Sequence, residues 1–250
     1  GGRFGRFYCR QSNEGWRLRL LDVTRTEVKY DIGLAEMADM KRRLGIFMEP
    51  DSHNGDRGYL VRSLYFDTLH DTDFEEKVEG YDGRQKIRLR VYGAKAENAK
   101  LEIKEKIGGF QRKRSLMLNR EEAARMIAGD YRFLMQRQEP LAKWLYTFLS
   151  VRCYRPKCIV EYDRFAYITE HNDTRITFDQ NLRASESTFD IFSENAALYP
   201  VEPPERVTME VKYSGFLFTY LKNELNHCDK VMASNSKYCR ARMISKRGRR

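Results

Sequence analysis

The sequence lacks any apolar run long enough to cross a bilayer, which takes about 20 consecutive apolar residues in a helix. Its composition is typical of a globular chain, with 41% hydrophobic, 12% aromatic and 33% charged residues over 250 positions. The opening stretch, "GGRFGRF", has neither a starting methionine nor the apolar centre of a signal peptide. We therefore expect a soluble chain, or a soluble piece of a larger one, in which residues 1–22 are a leader or a cut end.

Cysteine is scarce, and its spacing is typical of neither a disulfide framework nor a metal site. The five cysteines are Cys9, Cys153, Cys158, Cys228 and Cys239. Four residues, one of them Pro156, separate Cys153 from Cys158, which suits neither a CxxC redox pair nor a zinc site. We predict reduced structural thiols and a cytoplasmic location, with the cytoplasmic face of a membrane as the alternative.

Histidine is also rare and lies outside the strand-like motifs. The four histidines, all expected at the surface, are His53, His70, His171 and His227. Any chemistry performed by this chain is therefore expected to do without a histidine base.

No internal repeat and no βαβ rhythm are present, so a solenoid and a parallel sheet are both disfavoured. Alternating hydrophobicity predicts strands at 23–30, 59–68, 84–92, 99–107, 110–118, 157–169, 174–182 and 206–215. Helical spacing predicts helices at 34–45, 69–80, 119–130, 138–152, 216–226 and 237–245. This order favours an α+β fold with antiparallel strands, and eight strands are enough to close a barrel around a usable interior.

The positive charge is abundant and unevenly placed. The formal net charge of the chain is +10. Residues 84–114 hold eleven Lys and Arg against three Glu, and residues 237–250 hold seven Lys and Arg with no acid. Two such concentrated regions indicate a polyanionic partner rather than general basicity. The end of the second region, 246–250, is predicted to be a solvated basic tail, with a polyanion or an acidic membrane surface as the alternative partner.

Charges recur at every second residue on several predicted strands. The largest set lies in "GRQKIRLRVYG" (83–93), where Ile87, Leu89 and Val91 form the opposite, apolar face. The cations of this strand are Arg84, Lys86, Arg88 and Arg90, followed on the same face by Tyr92. The other charged faces hold Arg25, Glu27 and Lys29; Glu102, Lys104 and Lys106; Arg164; Arg175 and Asp179; and Glu210 and Lys212.

These faces have two interpretations. Antiparallel sheets commonly turn a polar face to water, and for any single strand that is the simpler explanation. Like charges on neighbouring strands repel each other, however, and here the cations outnumber the acids. A barrel lined by cations with a few carboxylates suits a polyphosphate carrying a divalent metal, because Arg and Lys neutralise phosphate oxygens and carboxylates hold Mg²⁺ or Mn²⁺.

Eight short motifs, in order along the chain, carry a family resemblance. They are "RTEVKY" (25–30), "SLYFDT" (63–68), "KIRLRVYG" (86–93), "LEIKEK" (101–106), "VEYDRFAY" (160–167), "RITFD" (175–179), "MEVKY" (209–213) and "SKY" (236–238). Together they resemble the VTC domain, the polyphosphate polymerase branch of the CYTH-like triphosphate tunnel metalloenzymes. The resemblance runs from about residue 23 to residue 242, which predicts a single domain over 23–245.

The resemblance implies a closed, eight-stranded antiparallel barrel that forms a tunnel. It implies transfer of the γ-phosphate of ATP to a growing inorganic polyphosphate chain, with release of ADP and a requirement for Mn²⁺ or Mg²⁺. The expected partners are ATP and polyphosphate or triphosphate, with no specific nucleic acid. A membrane or membrane-protein partner and the oligomeric state are left open.

The resemblance also implies roles for individual residues. The catalytic set would be Arg88, Arg90, Lys104, Arg164, Arg175 and Lys237. Further phosphate ligands would be Lys29, Arg84, Lys86, Lys113 and Lys212. Because Arg84 and Lys86 lie nearer the start of their strand, we expect them at the tunnel mouth, where they would guide the chain. The metal ligands would be Glu210 and Glu27. Tyr65 and Asp67 of "SLYFDT" are expected either to hydrogen-bond near the tunnel or to serve packing and capping.

Three other functions remain as alternatives. A tunnel triphosphatase would hydrolyse inorganic triphosphate or a nucleoside triphosphate with the same cations and metal. A non-catalytic module would bind polyphosphate or an inositol polyphosphate, although such a site has no need of Glu210. Nucleic-acid binding through basic strands and aromatics is the weakest alternative, because the sequence has no recognised nucleic-acid motif and a closed tunnel would exclude a duplex.

Overall fold

A computed structural model describes residues 2–8, 19–108, 110–233 and 236–247. Within these ranges it contains twelve strands and seven α-helices. The strands are β1 (Gly2–Tyr8), β2 (Arg19–Ile32), β3 (Glu49–Pro50), β4 (Tyr59–Asp67), β5 (Arg84–Val91), β6 (Asn98–Ile107), β7 (Phe110–Asn119), β8 (Arg155–Thr169), β9 (Thr174–Ser185), β10 (Tyr199–Pro200), β11 (Val207–Ser214) and β12 (Val231–Met232). The helices are α1 (Leu34–Leu44), α2 (Thr72–Glu79), α3 (Arg120–Ile127), α4 (Phe133–Gln136), α5 (Pro140–Val151), α6 (Thr219–Asn226) and α7 (Lys237–Arg247).

The strands form one antiparallel sheet, so the predicted α+β class is confirmed. Its order is β1-β2-β11-β9-β8-β4-β5-β6-β7, and the short strands β3, β10 and β12 pair with β8, β9 and β2. Each of the eight predicted strands corresponds to one of the long strands from β2 to β11.

The predicted closed barrel of eight strands is wrong in two respects. β1 and β7 stand at the two ends of the strand order and form no ladder with each other in the described part of the chain, and the sheet has more strands than predicted. Closure requires a fixed tilt and stagger between the first and last strands, which the alternation within each strand does not encode. The sheet is nevertheless curved, because side chains from β2 round to β7 line one cavity on its concave face.

The ends of the chain differ from the prediction as well. Strand β1 pairs along β2 from Gly2 opposite Arg25 to Tyr8 opposite Arg19, within the segment that was expected to be a leader. Residues 1 and 9–18 of that segment, including Cys9, lie outside the described residues. Of the expected basic tail, residues 246 and 247 belong to α7 and residues 248–250 lie outside the described residues.

The apolar faces of the strands pack outward against helices, as the alternation in β5 predicts. Ile87, Leu89 and Val91 are fully buried in a core that also contains Met126 of α3 and Leu145 of α5. Burying a side chain of this size contributes about 1.5–3 kcal/mol. The outward packing of the apolar residues leaves the charged residues of the same strands on the concave face.

Helix α7 is fixed at one end of the concave face by a buried hydrogen-bond network. Asp67 accepts hydrogen bonds from the backbone N–H groups of Asp73 and Phe74 at the start of α2, and from the hydroxyl of Tyr238 on α7 at 2.8 Å. The rings of Tyr65 and Tyr238 stack with their centroids 4.9 Å apart. Asp67 therefore caps α2 and joins it to α7, which holds Lys237 beside Asp179 of β9. None of the helices in the described ranges is long and apolar enough to cross a membrane.

Candidate active site

A cavity of about 450 Å³ occupies the concave face of the sheet. Its walls carry nine cations and two carboxylates. The cations are Arg25, Lys86, Arg88, Arg90, Lys104, Lys113, Arg164, Arg175 and Lys212, and the carboxylates are Glu27 and Glu102. Such an excess of positive charge in a confined space is unfavourable by itself, so the site is suited to a multiply charged anion.

A second cavity of about 180 Å³ adjoins the first and shares Lys86, Lys104 and Gln111 with it. It adds a further group of cations, which are Lys29, Lys77, Arg84 and Lys106. The two cavities together form a continuous basic path along β5 and β6.

Glu102 holds one group of cations in place. Its carboxylate is 3% exposed and accepts a hydrogen bond from Arg88 Nε at 2.7 Å. Lys113 Nζ forms a close ion pair with it, and Arg90 Nη1 lies 3.7 Å away. Burial opposes ionisation of this carboxyl group, but the positive charges of Arg88, Arg90 and Lys113 outweigh it and lower the pKa of Glu102 to about 2.

Asp179 plays the same part on the other side of the cavity. Arg164 donates to it through Nε at 2.6 Å and Nη2 at 2.8 Å, a bidentate arrangement, and Lys237 Nζ lies 2.7 Å from it. Burial opposes ionisation, but the two cations lower the pKa of Asp179 to about 2. The ring of Tyr162 lies beneath both cations, with its centroid 5.2 Å from Arg164 Cζ and 4.8 Å from Lys237 Nζ.

Glu27 and Glu210 form an adjacent pair of carboxylates bridged by lysines. Lys29 Nζ lies 3.1 Å from Glu27 Oε1 and 3.4 Å from Glu210 Oε2. Lys212 forms a close ion pair with Glu210 and lies 3.8 Å from Glu27 Oε2. Burial and repulsion from Glu210 raise the pKa of Glu27, but Lys212, Lys29 and Lys104 lower it by more, so the net shift is downward. Burial also raises the pKa of Glu210, and there the positive charges of Lys212 and Lys29 again outweigh it. Both groups are therefore ionised near neutral pH.

This pair can provide oxygen ligands for a divalent metal. No group of three or more His, Cys, Asp or Glu side chains in the described residues is arranged to hold a metal ion. Mg²⁺, however, is usually bound through one or two carboxylates together with substrate phosphates and water. Glu27 and Glu210 therefore fit a metal that arrives with a phosphate ligand, and Lys29 and Lys212 lie beside both carboxylates.

The structure brings the predicted site residues together around the two cavities. The main cavity is lined by eight of the predicted cations and by Glu27, whereas Lys29 and Arg84 line the second cavity. Glu210 and Lys237 line neither cavity, but each is ion-paired beside it, Glu210 with the lining residue Lys212 and Lys237 with Asp179, the partner of Arg164. The roles that the resemblance implies for these residues remain predictions.

Arg84 and Lys86 differ in position. The Arg84 side chain lines the second cavity and donates to the carbonyl oxygen of Tyr81 at 3.0 Å. The Lys86 side chain lies deeper, at the junction of both cavities, and its Nζ donates to Ser236 Oγ at 2.6 Å. Lys86 therefore lies along the basic path rather than at its opening.

Two carboxylates that organise the site, Glu102 and Asp179, were not assigned a function from the sequence. Their signal was present, since each shares a strand face with a cation: Glu102 lies two residues before Lys104 in "LEIKEK", and Asp179 lies four residues after Arg175 in "RITFD". Tyr65 also lines the main cavity. Burial raises its pKa, but the charges of Arg88, Arg90 and Lys86 lower it by more.

The family model of the VTC domain matches residues 24–245. The chain belongs to the VTC domain family. The match spans the strands from β2 to β11 and helix α7, so both cavities of this VTC domain lie within it. A comparison with curated proteins finds no match.

Solved structures with similar folds include a Hippeastrum protein assigned as an adenylyl cyclase and described as having a dominant triphosphatase activity. Its TM-score against this VTC domain is 0.55 at 12% identity, over 88% of this chain and 96% of its own. A Bacillus halodurans protein assigned as an adenylate cyclase gives a TM-score of 0.48 at 13% identity, over 84% and 93% of the two chains. At this level of identity the first likeness concerns the fold alone, and the second is too distant to support more.

The environment of Lys86 predicts a pH dependence of anion binding. Burial lowers the pKa of Lys86 to about 8, so its ammonium group is charged below that pH and loses its proton above it. A bound anion favours the charged form. We therefore expect the affinity for inorganic triphosphate to fall as the pH rises through about 8, measured by titration calorimetry from pH 6.5 to 9.5.

The matched variant is Lys86→Arg, whose guanidinium stays charged over the whole range. Ionisation of the ligand affects both proteins equally, so the difference between the two pH profiles isolates Lys86. Identical profiles would show that Lys86 does not contribute its charge to binding.

Proposed function

We propose that this VTC domain is a polyphosphate polymerase that transfers the γ-phosphate of ATP to a growing inorganic polyphosphate chain and releases ADP. Residues 23–245 would act as one catalytic unit. The observation that carries the proposal is the main cavity, where nine cations face two carboxylates. A site of this composition neutralises a chain of phosphates and retains oxygen ligands for a metal.

The residues fit phosphoryl transfer without a covalent intermediate. A terminal oxygen of the polyphosphate chain attacks the γ-phosphorus, and the bond from that phosphorus to the bridging oxygen breaks, so ADP leaves with the electron pair. Arg88, Arg90 and Arg164 would orient the phosphates in line and stabilise the charge on the transferred group. The attacking phosphate is already ionised, so no strong base is required, and no histidine is among the described residues that line either cavity.

Glu27 and Glu210 would hold Mn²⁺ or Mg²⁺, which neutralises charge on the phosphates of ATP when bound. Lys29 and Lys212 would then exchange their carboxylate partners for phosphate oxygens. Lys237, held against Asp179 at 2.7 Å, would contact the phosphates from α7.

The test is a transfer assay with purified protein, ATP and Mn²⁺. We expect a ladder of polyphosphate products on a gel, with ADP formed in equal amount to the phosphate incorporated. The absence of any polyphosphate product, whether or not ATP is consumed, would refute the proposal.

The second candidate is a tunnel triphosphatase, supported by the fold shared with the Hippeastrum protein and its described triphosphatase activity. It would use the same cations and metal, with water as the nucleophile. Chain elongation measured against free phosphate release decides between the two activities. A purely anion-binding module is disfavoured, because adjacent Glu27 and Glu210 would weaken the binding of polyphosphate in the absence of a metal.

A further inference from the structure

Two tyrosines lie at one end of the main cavity. Tyr59 begins β4 and Tyr92 directly follows β5, and their ring centroids are 6.0 Å apart at an interplanar angle of 56°. Both side chains line the main cavity, and neither lines the second cavity. Tyr92 is 57% exposed, so packing does not account for its position.

The two tyrosines and the second cavity lie at opposite ends of β5. Arg84 lines only the second cavity, Lys86 lines both, and Arg88 and Arg90 line only the main one. Tyr92 comes two residues after Arg90 on the same face, which places it roughly 7 Å further along the strand. From Arg84 to Tyr92 the path covers roughly 26 Å. The basic path is therefore asymmetric, with lysines at one end and aromatic rings at the other.

Tyr59 is fixed in place by its hydroxyl group. Arg175 Nη2 donates to Tyr59 Oη at 2.8 Å and to Asp51 Oδ2 at 2.8 Å. This arrangement holds an arginine of the cavity beside the tyrosine pair. A ligand at this end would therefore meet aromatic faces and a guanidinium group together.

The lysine-rich end and the aromatic end of the basic path suit different chemical groups. An inorganic polyphosphate chain has no apolar surface, so an aromatic ring binds it less well than a lysine would. A nucleobase has a π-face that stacks on aromatic side chains whatever its identity, and such stacking makes a large contribution to binding.

We propose that Tyr59 and Tyr92 receive the base of a nucleoside triphosphate, with the triphosphate extending along β5 towards Arg90 and Arg88. This inference rests on the proposed function and extends it, since it assigns the aromatic end to the nucleotide and the lysine-rich second cavity to the inorganic chain. Tyr92 is the specificity-determining residue, because its exposed ring is free to stack.

The test compares a ligand that has a base with one that has none. The imido-bridged analogues of ATP and of inorganic triphosphate, neither of which can transfer its terminal phosphate, are titrated with Mg²⁺ by calorimetry. We expect Tyr92→Ala to weaken binding of the ATP analogue at least about 5-fold, the lower end for loss of one stacked base, and to leave binding of the triphosphate analogue unchanged. Tyr92→Phe keeps the ring and should retain the affinity of the wild type for both ligands.

The matched control is Tyr199→Ala, at an exposed tyrosine of β10 that lines neither cavity, and it should alter neither affinity. Equal effects of Tyr92→Ala on both analogues, or no effect on either, would overturn the inference while leaving the proposed function intact. Failure of the wild-type protein to bind either analogue would overturn both.

Discussion

Glu210→Ala should abolish phosphate transfer while polyphosphate binding persists. Glu210 is 5% exposed and shares Lys29 with Glu27, which lines the main cavity, and these two carboxylates are the proposed metal ligands. A bound metal lowers the barrier of phosphoryl transfer by several kcal/mol, so the loss of this ligand should reduce turnover at least roughly 100-fold.

The affinity of the Glu210→Ala variant for polyphosphate, in contrast to its turnover, should not fall. Removal of Glu210 leaves Lys29 and Lys212 without one of their anionic partners, and a phosphate can take its place. Polyphosphate binding in EDTA, measured by fluorescence anisotropy of a labelled chain, should therefore be unchanged or tighter. Loss of binding and turnover together would contradict a metal-binding role, and so would turnover within a few-fold of the wild type.

Two controls accompany the Glu210 variant. Glu210→Gln keeps the shape of the side chain but removes the charge, and it should lose turnover to a similar extent because a neutral amide is a poorer ligand for Mg²⁺ or Mn²⁺. Glu121→Gln changes an exposed glutamate in the first turn of α3 and should leave turnover unchanged. Thermal unfolding followed by circular dichroism shows that each variant is folded.

Arg88→Ala should weaken phosphate binding and reduce turnover together. Arg88 lines the main cavity and is oriented by Glu102, which its Nε contacts at 2.7 Å. A hydrogen bond to a charged group contributes about 1.5–3 kcal/mol, so the dissociation constant for inorganic triphosphate should rise roughly 10- to 140-fold. Calorimetry with inorganic triphosphate in EDTA measures this change directly.

The structure offers a closely matched control in Arg114→Ala. Arg114 forms an arginine–glutamate pair with Glu105, at 3.0 Å, and its side chain lies over the ring of Trp144 instead of lining the main cavity. This variant should lose some stability but bind triphosphate as the wild type does. If both arginine variants weaken binding equally, the effect of Arg88 is structural, and the assignment of Arg88 as a phosphate ligand is wrong.

Much of the fold could be predicted because its signals are local. The alternation in "KIRLRVYG" depends only on the two-residue period of a strand, and it correctly placed Ile87, Leu89 and Val91 on one apolar face, which is buried in the core. The signal for the start of α3 also lies within a few residues of the chain. Asn119 accepts from the backbone N–H of Glu122 while the Glu122 carboxylate accepts from the N–H of Asn119, the capping box that the spacing of these residues indicates.

Closure of the sheet could not be predicted in this way. Whether β1 and β7 form a ladder depends on the tilt and stagger accumulated over all the strands between them. The strand at Gly2–Tyr8 was missed for a related reason, since its partner is the first half of β2 and a strand is stabilised by the neighbour with which it pairs.

Some features of the candidate site could likewise be predicted from the sequence, and others depend on the fold. The sequence by itself determined which residues are cationic and that they share one face of their strands, because side-chain direction in a strand follows from position alone. Only the tertiary structure decided which charges meet. Glu102 gathers Arg88 and Lys113 from two other strands, and Tyr59 and Tyr92 come together from the ends of neighbouring strands, because the order and register of strands in the sheet fix contacts between residues that are distant in the chain.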